Sequence, residues 1–504
     1  MFRELAALTA LSVLGTPSVA APEITPLKED FQVLQRDAHD QGSCLVRIPP
    51  QMPQATSFRI KVVDQNGRPV QSGEAALKNL GGDSRGITIE KLPVGGPYTI
   101  TISPKDLPAD KPLVYRHILV GDLWLLGGQS NMFGADAIKE KLPTLLYLNM
   151  LNPVHILPDA HWCAGTPPIH RIPDVFAPHT LKFHQPGITE DQIKKILADK
   201  TPVGSIDCSY FFARKLYAES KVPIGLIPCA MGGALALWDP KERDKNRYGF
   251  VERHVKSAGG RIKGILFFQG EQDAIFGEEQ RTVTKPSLIY PTRTYAQQFK
   301  TFVEAARNDF HNPEMPVILA QICRHHGGQK DRDQGWEIIR ESQRRIPEVL
   351  PHAHCIASVD LDLVDGLHLD YDSMKRVGER MAFLALPYVK KGVEKRSEIK
   401  LKSVTFAKDL PFRSVLHVDF TGVTGKLRAP GKPTGFCLKK KPDGEVLNYL
   451  FKVAFDPVHP SRVVLETTQW KGLNLYYGAG SVPYVNVVDD NDMAVPAFGP
   501  IELK

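Results

Sequence analysis

A parallel α/β sheet domain with a β-sandwich module on each side is the fold the sequence predicts, and three observations carry it. Five continuous apolar runs, at 123–128, 223–229, 262–269, 317–322 and 355–360, read as strands buried on both faces. Helical periodicity between them, as in Tyr295, Phe299, Phe302, Val303 and Ala306, or Met374, Val377, Met381 and Leu384, supplies the crossovers that parallel strands need. From Phe31 to about Ile118, and again beyond about 398, short alternating runs broken by turn residues predict antiparallel β-modules.

The first segment reads as a leader. A short start with Arg3 and Glu4 precedes apolar residues from Leu5 to Leu14 and the small residues Ser18, Val19, Ala20 and Ala21, the pattern of a cleaved secretory signal. Residues 1–21 are therefore set apart, and a periplasmic or extracellular location is expected. The remaining chain divides into 22–118 (N-terminal module), 119–392 (sheet domain) and 398–504 (C-terminal module). A formal charge of +7 with dispersed Lys and Arg gives no nucleic-acid footprint. Seven scattered cysteines without a C-x-x-C pair indicate neither a zinc site nor a dense disulfide framework. No later run is long enough to span a bilayer.

In the N-terminal module, Phe58–Val62 and Tyr98–Ile102 alternate, with turns at Asp64–Gly67 and Gly95–Pro97. The first buried strand then runs Leu123-Trp-Leu-Leu126 into Gly127-Gly-Gln-Ser-Asn-Met132, which puts Ser130 at the carboxyl end of a sheet, where open α/β folds bind ligands. Taken alone, this is also an ordinary strand-to-helix turn with a Ser or Asn cap. The crossover from Gly134 to Thr201 is longer than connectivity requires and holds Trp162, His170 and Arg171, candidates for a pocket wall.

The second strand ends in Ala230-Met-Gly232-Gly233-Ala234 and the third in Gln269-Gly-Glu271-Gln-Asp273. Backbone N–H groups at Gly232 or Gly233, the Gln269 amide and the Ser130 N–H could converge on one oxygen as an oxyanion hole. Glu271 and Asp273 also raise a carboxylate pair for glycoside hydrolysis, although two acids on one loop are poorly placed to flank a bond. His325 and His326 follow the fourth strand as further wall candidates.

After the fifth strand stands Asp365-Gly-Leu-His368, opening a helix expected over 372–386. A spacing of three lets the carboxylate hold one imidazole nitrogen while the other faces Ser130, as a Ser-His-Asp system requires. The charged stretch from Lys390 to Lys400 reads as an exposed boundary. In the C-terminal module, the acidic turn Asp489-Asp-Asn-Asp492 is a weak calcium candidate, because its spacing matches no loop motif.

Together these blocks resemble SGNH-type hydrolases, and in particular the sialate O-acetylesterase-like carbohydrate esterases. Gly128-Gln-Ser-Asn-Met132, Gly232-Gly233, Gln269–Asp273 and Asp365–His368 carry the likeness. It extends to Val33–Arg36, Gly121–Trp124, Tyr210–Arg214, Ile339–Gln343 and Ala494–Phe498. Ala234 departs from the family's usual Gly-Gly-Thr, and the region after Arg36 is a worn version of the family's first β-module. The resemblance implies a flavodoxin-like SGNH sheet and a serine esterase that removes O-acetyl groups from sugars. It implies Ser130, Asp365 and His368 as catalytic residues, an acetylated carbohydrate as partner, and no metal or cofactor. It supports an acetylesterase more firmly than sialic acid as the substrate. An acetylxylan or other polysaccharide acetylesterase of the same fold, and a carbohydrate-binding protein with a dead hydrolase core, are the alternatives.

Overall fold

The computed structural model describes residues 24–52, 55–105, 112–152, 160–170, 189–192, 194, 205–243, 246–276, 294–327 and 332–504. The expected leader and Arg171 lie outside them.

The N-terminal module has a four-stranded sheet built from Thr25–Leu27, Gln41–Arg47, Lys78–Gly81 and Ser84–Pro93. Against it lie Ser57–Val63, Pro69–Ala76 and Gly95–Pro104. The inward positions of their alternating runs, among them Val46, Phe58, Val62, Ile87 and Ile100, share one core. Next comes strand β1 (Leu113–Gly128). Its first half pairs with Gly95–Pro104 in this module, and its second half enters the central sheet. The expected boundary at 118/119 therefore falls inside a strand.

The central sheet continues with β2 (Leu148–Asn152), β3 (His161–Ala164), β4 (Ile224–Pro228), β5 (Gly264–Phe268), β6 (Val317–Ala320) and β7 (Ala353–Ile356). Their spatial order is β3-β2-β4-β1-β5-β6-β7. The expected five parallel strands are corrected to six, because β2, drawn from the long crossover, pairs in parallel with β4, and β3 adds an antiparallel edge. From β1 the chain winds to one side through β2 and β4, then to the other through β5, β6 and β7. The winding reverses around β1, and a ligand crevice belongs at that end of an open sheet.

Both faces of the sheet are covered. Trp124 and Leu126 point to one side, where α2 (Cys208–Ser220) and α7 (Tyr371–Val389) pack; Leu123 and Leu125 point to the other, against α3 (Arg247–Ser257), α5 (Tyr295–Asp309) and α6 (Arg332–Val349). Two short helices, α1 (Ser130–Phe133) and α4 (Glu271–Phe276), leave the ends of β1 and β5. Each buried Leu, Phe or Val contributes about 1.5–3 kcal/mol relative to exposure. Side-chain caps fix the helix starts: Asp207 accepts from Ser209 N, Asp370 from Ser373 N, and Thr294 and Gln297 form a capping box.

The C-terminal module has two four-stranded sheets, one from Lys400–Leu410, Arg413–Thr421, Leu450–Phe455 and Arg462–Thr467, the other from Phe436–Lys439, Val446–Leu447, Asn474–Tyr477 and Phe498–Glu502. Its core is continuous with that under α2 and α7. The acidic turn is spent on structure. Asp489 accepts from Thr424, Asn491 and Met493 N–H, Asp490 from Lys426 N–H, and Asp492 pairs with Arg376 at 2.7 Å. These bonds remove the basis for a calcium site there. The charged boundary is also not wholly exposed: Glu398 is buried and meets His354 Nδ1 at 2.7 Å.

Among the described residues no helix is long and apolar enough to cross a membrane. The seven cysteines form no disulfide with one another.

Candidate active site

The nucleophile turn follows from close backbone packing. Gly128 has φ +135°, and a Cβ there would sit 2.1 Å from Phe268 O, so only glycine lets β1 lie against β5 at this point. The Gln129 N–H donates to Phe268 O at 2.8 Å, and Ser130 then opens α1. Met231 N donates to Gly128 O at 2.8 Å, which pins the Gly232–Gly233 loop beside the same turn.

His368 comes from the loop between β7 and α7. Its Nε2 lies 2.9 Å from Ser130 Oγ, and its Nδ1 lies 2.7 Å from Asp365 Oδ2. The other Asp365 oxygen accepts the Leu367 and His368 N–H groups, each at 2.7 Å. Burial pushes this carboxyl up, but His368 and the two N–H donors outweigh it and hold Asp365 below the usual carboxylate range. Asp365 thus stays ionised at neutral pH and fixes the imidazole with Nδ1 as donor and Nε2 facing the serine.

Asn131 is the residue that sequence reasoning missed as a site element. Its Oδ1 accepts Leu369 N–H at 3.1 Å while its Nδ2 donates to Leu367 O at 3.3 Å, so one amide grips the chain on both sides of His368. Nδ2 also donates to Glu271 Oε1 at 2.6 Å. Glu271 is fully buried, its Oε2 has no partner, and burial raises its pKa against the opposing pull of Asn131. The one sequence signal was position, directly after Ser130.

Glu271 beneath Asn131 cannot reach a sugar. Asp273 is 2% exposed and accepts from Leu235 N–H and Gln269 Nε2. Neither acid is presented for glycoside hydrolysis.

A raised carboxyl pKa means the folded chain holds that proton more tightly than the unfolded chain. Glu271 therefore costs stability as pH rises from the ordinary value of 4.5 through its raised one. Glu271→Gln, which keeps an acceptor for Asn131, is expected to flatten the pH dependence of the melting temperature above the ordinary carboxylate value of 4.5. Parallel melting curves for variant and wild type would remove Glu271 as the source.

Gln269 is corrected. It is fully buried, its Nε2 donates to Gly233 O at 3.2 Å and to Asp273 Oδ2 at 2.5 Å, and its Oε1 accepts from Tyr295 OH at 3.2 Å. Both amide hydrogens are spent, which leaves none for an oxyanion. Gln269 ties the Gly233 loop to α4 and α5. Gln269→Ala is accordingly expected to lower the melting temperature, with about 1–3 kcal/mol for each partner left unpaired, and to disturb kcat and KM together. A pure kcat defect with an unchanged melting curve would restore the oxyanion role.

The remaining candidate donors are the N–H groups of Ser130, Gly232 and Gly233, which make no hydrogen bond among the described residues. The wall candidates divide. Trp162 is buried in the core under β3, and His170 is buried with its Nδ1 2.9 Å from Asp207 Oδ2, so neither lines an open wall. His325 stacks on Trp336 with ring centroids 4.7 Å apart. His326 is exposed, and its N–H donates to Gly366 O at 2.7 Å, so it borders the Asp365–His368 turn.

The C-terminal module reaches this region. Arg340, 1% exposed on α6, donates to Ile322 O and Cys323 O at the end of β6 and to Gly480 O at 2.6 Å in the module. At the opposite end of the sheet, Arg36 clasps buried Asp122 at 2.7 and 2.9 Å. Two of the outlying motifs, Val33–Arg36 and Gly121–Trp124, meet in that contact.

The family model for carbohydrate esterases described as sialic acid-specific acetylesterases matches residues 120–386, just over half of the 504. An Arabidopsis thaliana protein named as a probable carbohydrate esterase is 25% identical over 295 residues, covering 54% of this chain and 93% of its own. The solved structure of a carbohydrate acetylesterase from Xanthomonas citri, 20% identical, has a similar fold, with a TM-score of 0.60 over 95% of this chain and 99% of that one. The class is thus that of the carboxylic ester hydrolases. The chain belongs to the carbohydrate esterase family of sialic acid-specific acetylesterases, and its activity is removal of O-acetyl groups from carbohydrate.

Proposed function

We propose that the chain is a serine acetylesterase working through an acetyl-enzyme, with Ser130 as nucleophile, His368 as general base and Asp365 as its orienting partner. The observation that carries this reading is the unbroken relay Ser130 Oγ–His368 Nε2–His368 Nδ1–Asp365 Oδ2, at 2.9 and 2.7 Å.

Ser130 Oγ attacks the acetyl carbonyl carbon as its proton passes to His368 Nε2. The tetrahedral oxyanion takes hydrogen bonds from Ser130 N–H and from Gly232 or Gly233 N–H. Collapse breaks the bond to the sugar oxygen, which leaves with the proton from His368. Water then gives its proton to Nε2 and adds to the acetyl-enzyme, and the second collapse frees acetate while the proton returns to Ser130.

The finer fold reading is an SGNH-type sheet domain over 119–392 with β-sandwich modules at 22–118 and 398–504, exported by means of residues 1–21. The deciding experiment measures acetate release from acetylated sialic acid, xylan and pectin, with reducing-sugar release in parallel. Acetate without new reducing ends is expected, with acetyl esters cut much faster than octanoyl esters of the same alcohol. No acetate from any of them would leave a carbohydrate-binding protein, and new reducing ends would mean a glycosidase.

A further inference from the structure

Arg247 is a buried cation. It opens α3 and is 7% exposed. No carboxylate among the described residues lies within ion-pair distance of it. Among the described residues its one hydrogen bond runs from Nη1 to Met231 O at 3.1 Å, and its buried Nε has no partner. Burial pushes the guanidinium down to about 10, with Asp273 pulling the other way, so it remains a cation at neutral pH. Holding an unpaired cation in a protein interior costs several kcal/mol, which a structural tie to one carbonyl does not offset.

The position of the charge accounts for its retention. A Cβ placed on Gly233, whose φ is +122°, would lie 2.7 Å from Nη2 and 3.0 Å from Nη1. The guanidinium is therefore packed directly against the glycine loop, on the chain that follows Met231 and precedes Leu235. The same loop carries the free Gly232 and Gly233 N–H groups and is held to Gly128 beside Ser130. The anion that Arg247 lacks at rest is one that acyl transfer creates, since each tetrahedral intermediate puts a full negative charge on the former carbonyl oxygen. In a partly dry site, a cation one loop away retains much of its attraction for that charge.

We propose that Arg247 is a positioning residue for the transition state. It braces the Gly232–Gly233 loop through Met231 O and stabilises the oxyanion electrostatically through that loop, without touching the substrate. The proposal rests on the Ser130 acyl-enzyme reading, and the two fail separately. Loss of labelling in Ser130→Ala by a serine-directed phosphonate, with labelling in wild type, tests the reading; the Arg247 variants test the inference.

The experiment compares Arg247→Gln, which keeps a donor for Met231 O but removes the charge, with Arg247→Lys, which keeps a charge. Active sites are counted by phosphonate titration, so that kcat refers only to folded enzyme. Each variant is assayed on a neutral acetylated sugar and on an acetylated sugar acid, and is then inhibited with an arylboronic acid, which becomes a tetrahedral anion on the serine. For Arg247→Gln, kcat is expected to fall roughly 10- to 100-fold with KM changed less than about twofold, and the boronate to weaken by a similar factor. Arg247→Lys should recover most of both losses.

Equal kcat in the Gln and Lys variants would overturn the role of the charge. A kcat defect with unchanged boronate affinity would overturn the link to the oxyanion. A rise in KM confined to the sugar acid would replace the proposal with a direct contact to a substrate carboxylate. Should Arg247→Gln not fold, Arg247→Lys decides alone: its boronate affinity and kcat must fall by the same factor, and divergence between them overturns the proposal.

Discussion

With Ser130 replaced by Ala, kcat on an acetylated sugar is expected to fall by roughly four to six orders of magnitude, with a melting curve that overlays the wild type. The side chain lost is one oxygen on a turn fixed by backbone contacts, Gln129 N–H to Phe268 O and Met231 N–H to Gly128 O, so the fold has no reason to move. His368→Ala should cost about as much, because the hydroxyl then has no acceptor for its proton. The double variant should cost little more than either single one, since the pair acts as a unit and the remaining rate comes from the oxyanion donors and binding. Steady-state kinetics on the three variants checks this. Retention of more than about a tenth of wild-type activity in Ser130→Ala would sink the nucleophile assignment, and additive losses would sink the relay.

Asp365→Asn should cost roughly 10³- to 10⁴-fold in kcat, by a route visible in its contacts. One Asp365 oxygen is claimed by two N–H donors, at 2.7 Å each, and the other by His368 Nδ1. An Asn side chain must keep its oxygen on the two N–H groups, which turns its NH₂ toward Nδ1. The imidazole can then meet it only as an acceptor at Nδ1, which moves the proton to Nε2 and leaves nothing to receive the serine proton. Asp365→Ala removes the carboxylate without imposing that tautomer, and is expected to be no worse than Asn. Activity in Asp365→Asn within about tenfold of wild type would show that the tautomer is set elsewhere.

The sheet was legible because strands buried on both faces need uninterrupted apolar residues, and runs such as Leu123–Leu126 have them. Strand β2 was not, because Asn149 breaks its apolar run; the structure buries that Asn with its amide on Phe31 O and His117 O, a tertiary solution that no local pattern announces. The module boundary was misplaced for a related reason. Arg116 and His117 interrupt Leu113–Val120 whereas Leu123–Leu126 is unbroken, so one strand that changes surroundings halfway reads as two elements.

At the site, spacing was informative where chemistry is local. Asp365 and His368 are three residues apart and touch, and the apolar run before Ser130 fixes its height on the sheet. Gln269 was placed at the correct edge, yet its hydrogen bonds depend on Gly233, Asp273 and Tyr295, drawn from three other segments. Its neighbour in space, not in sequence, decided its role. Glu398 was read as solvated because charged stretches usually are, but a single histidine partner, His354, suffices to bury it.

The unbroken strand Leu113–Gly128 has a consequence for how such chains can be inherited. At ~3.3 Å per residue it is a rod about 50 Å long, anchored at one end in the N-terminal module and ending at the turn that presents Ser130. A recombination event that exchanged that module at its apparent border would have to preserve the rod's register to the residue. One residue gained or lost there would rotate every later side chain to the opposite face, sending Trp124 where Leu125 belongs and carrying the serine out of line with His368. Exchange of this module is thus a cut through a strand that must keep its register, unlike exchange of units joined by loose linkers.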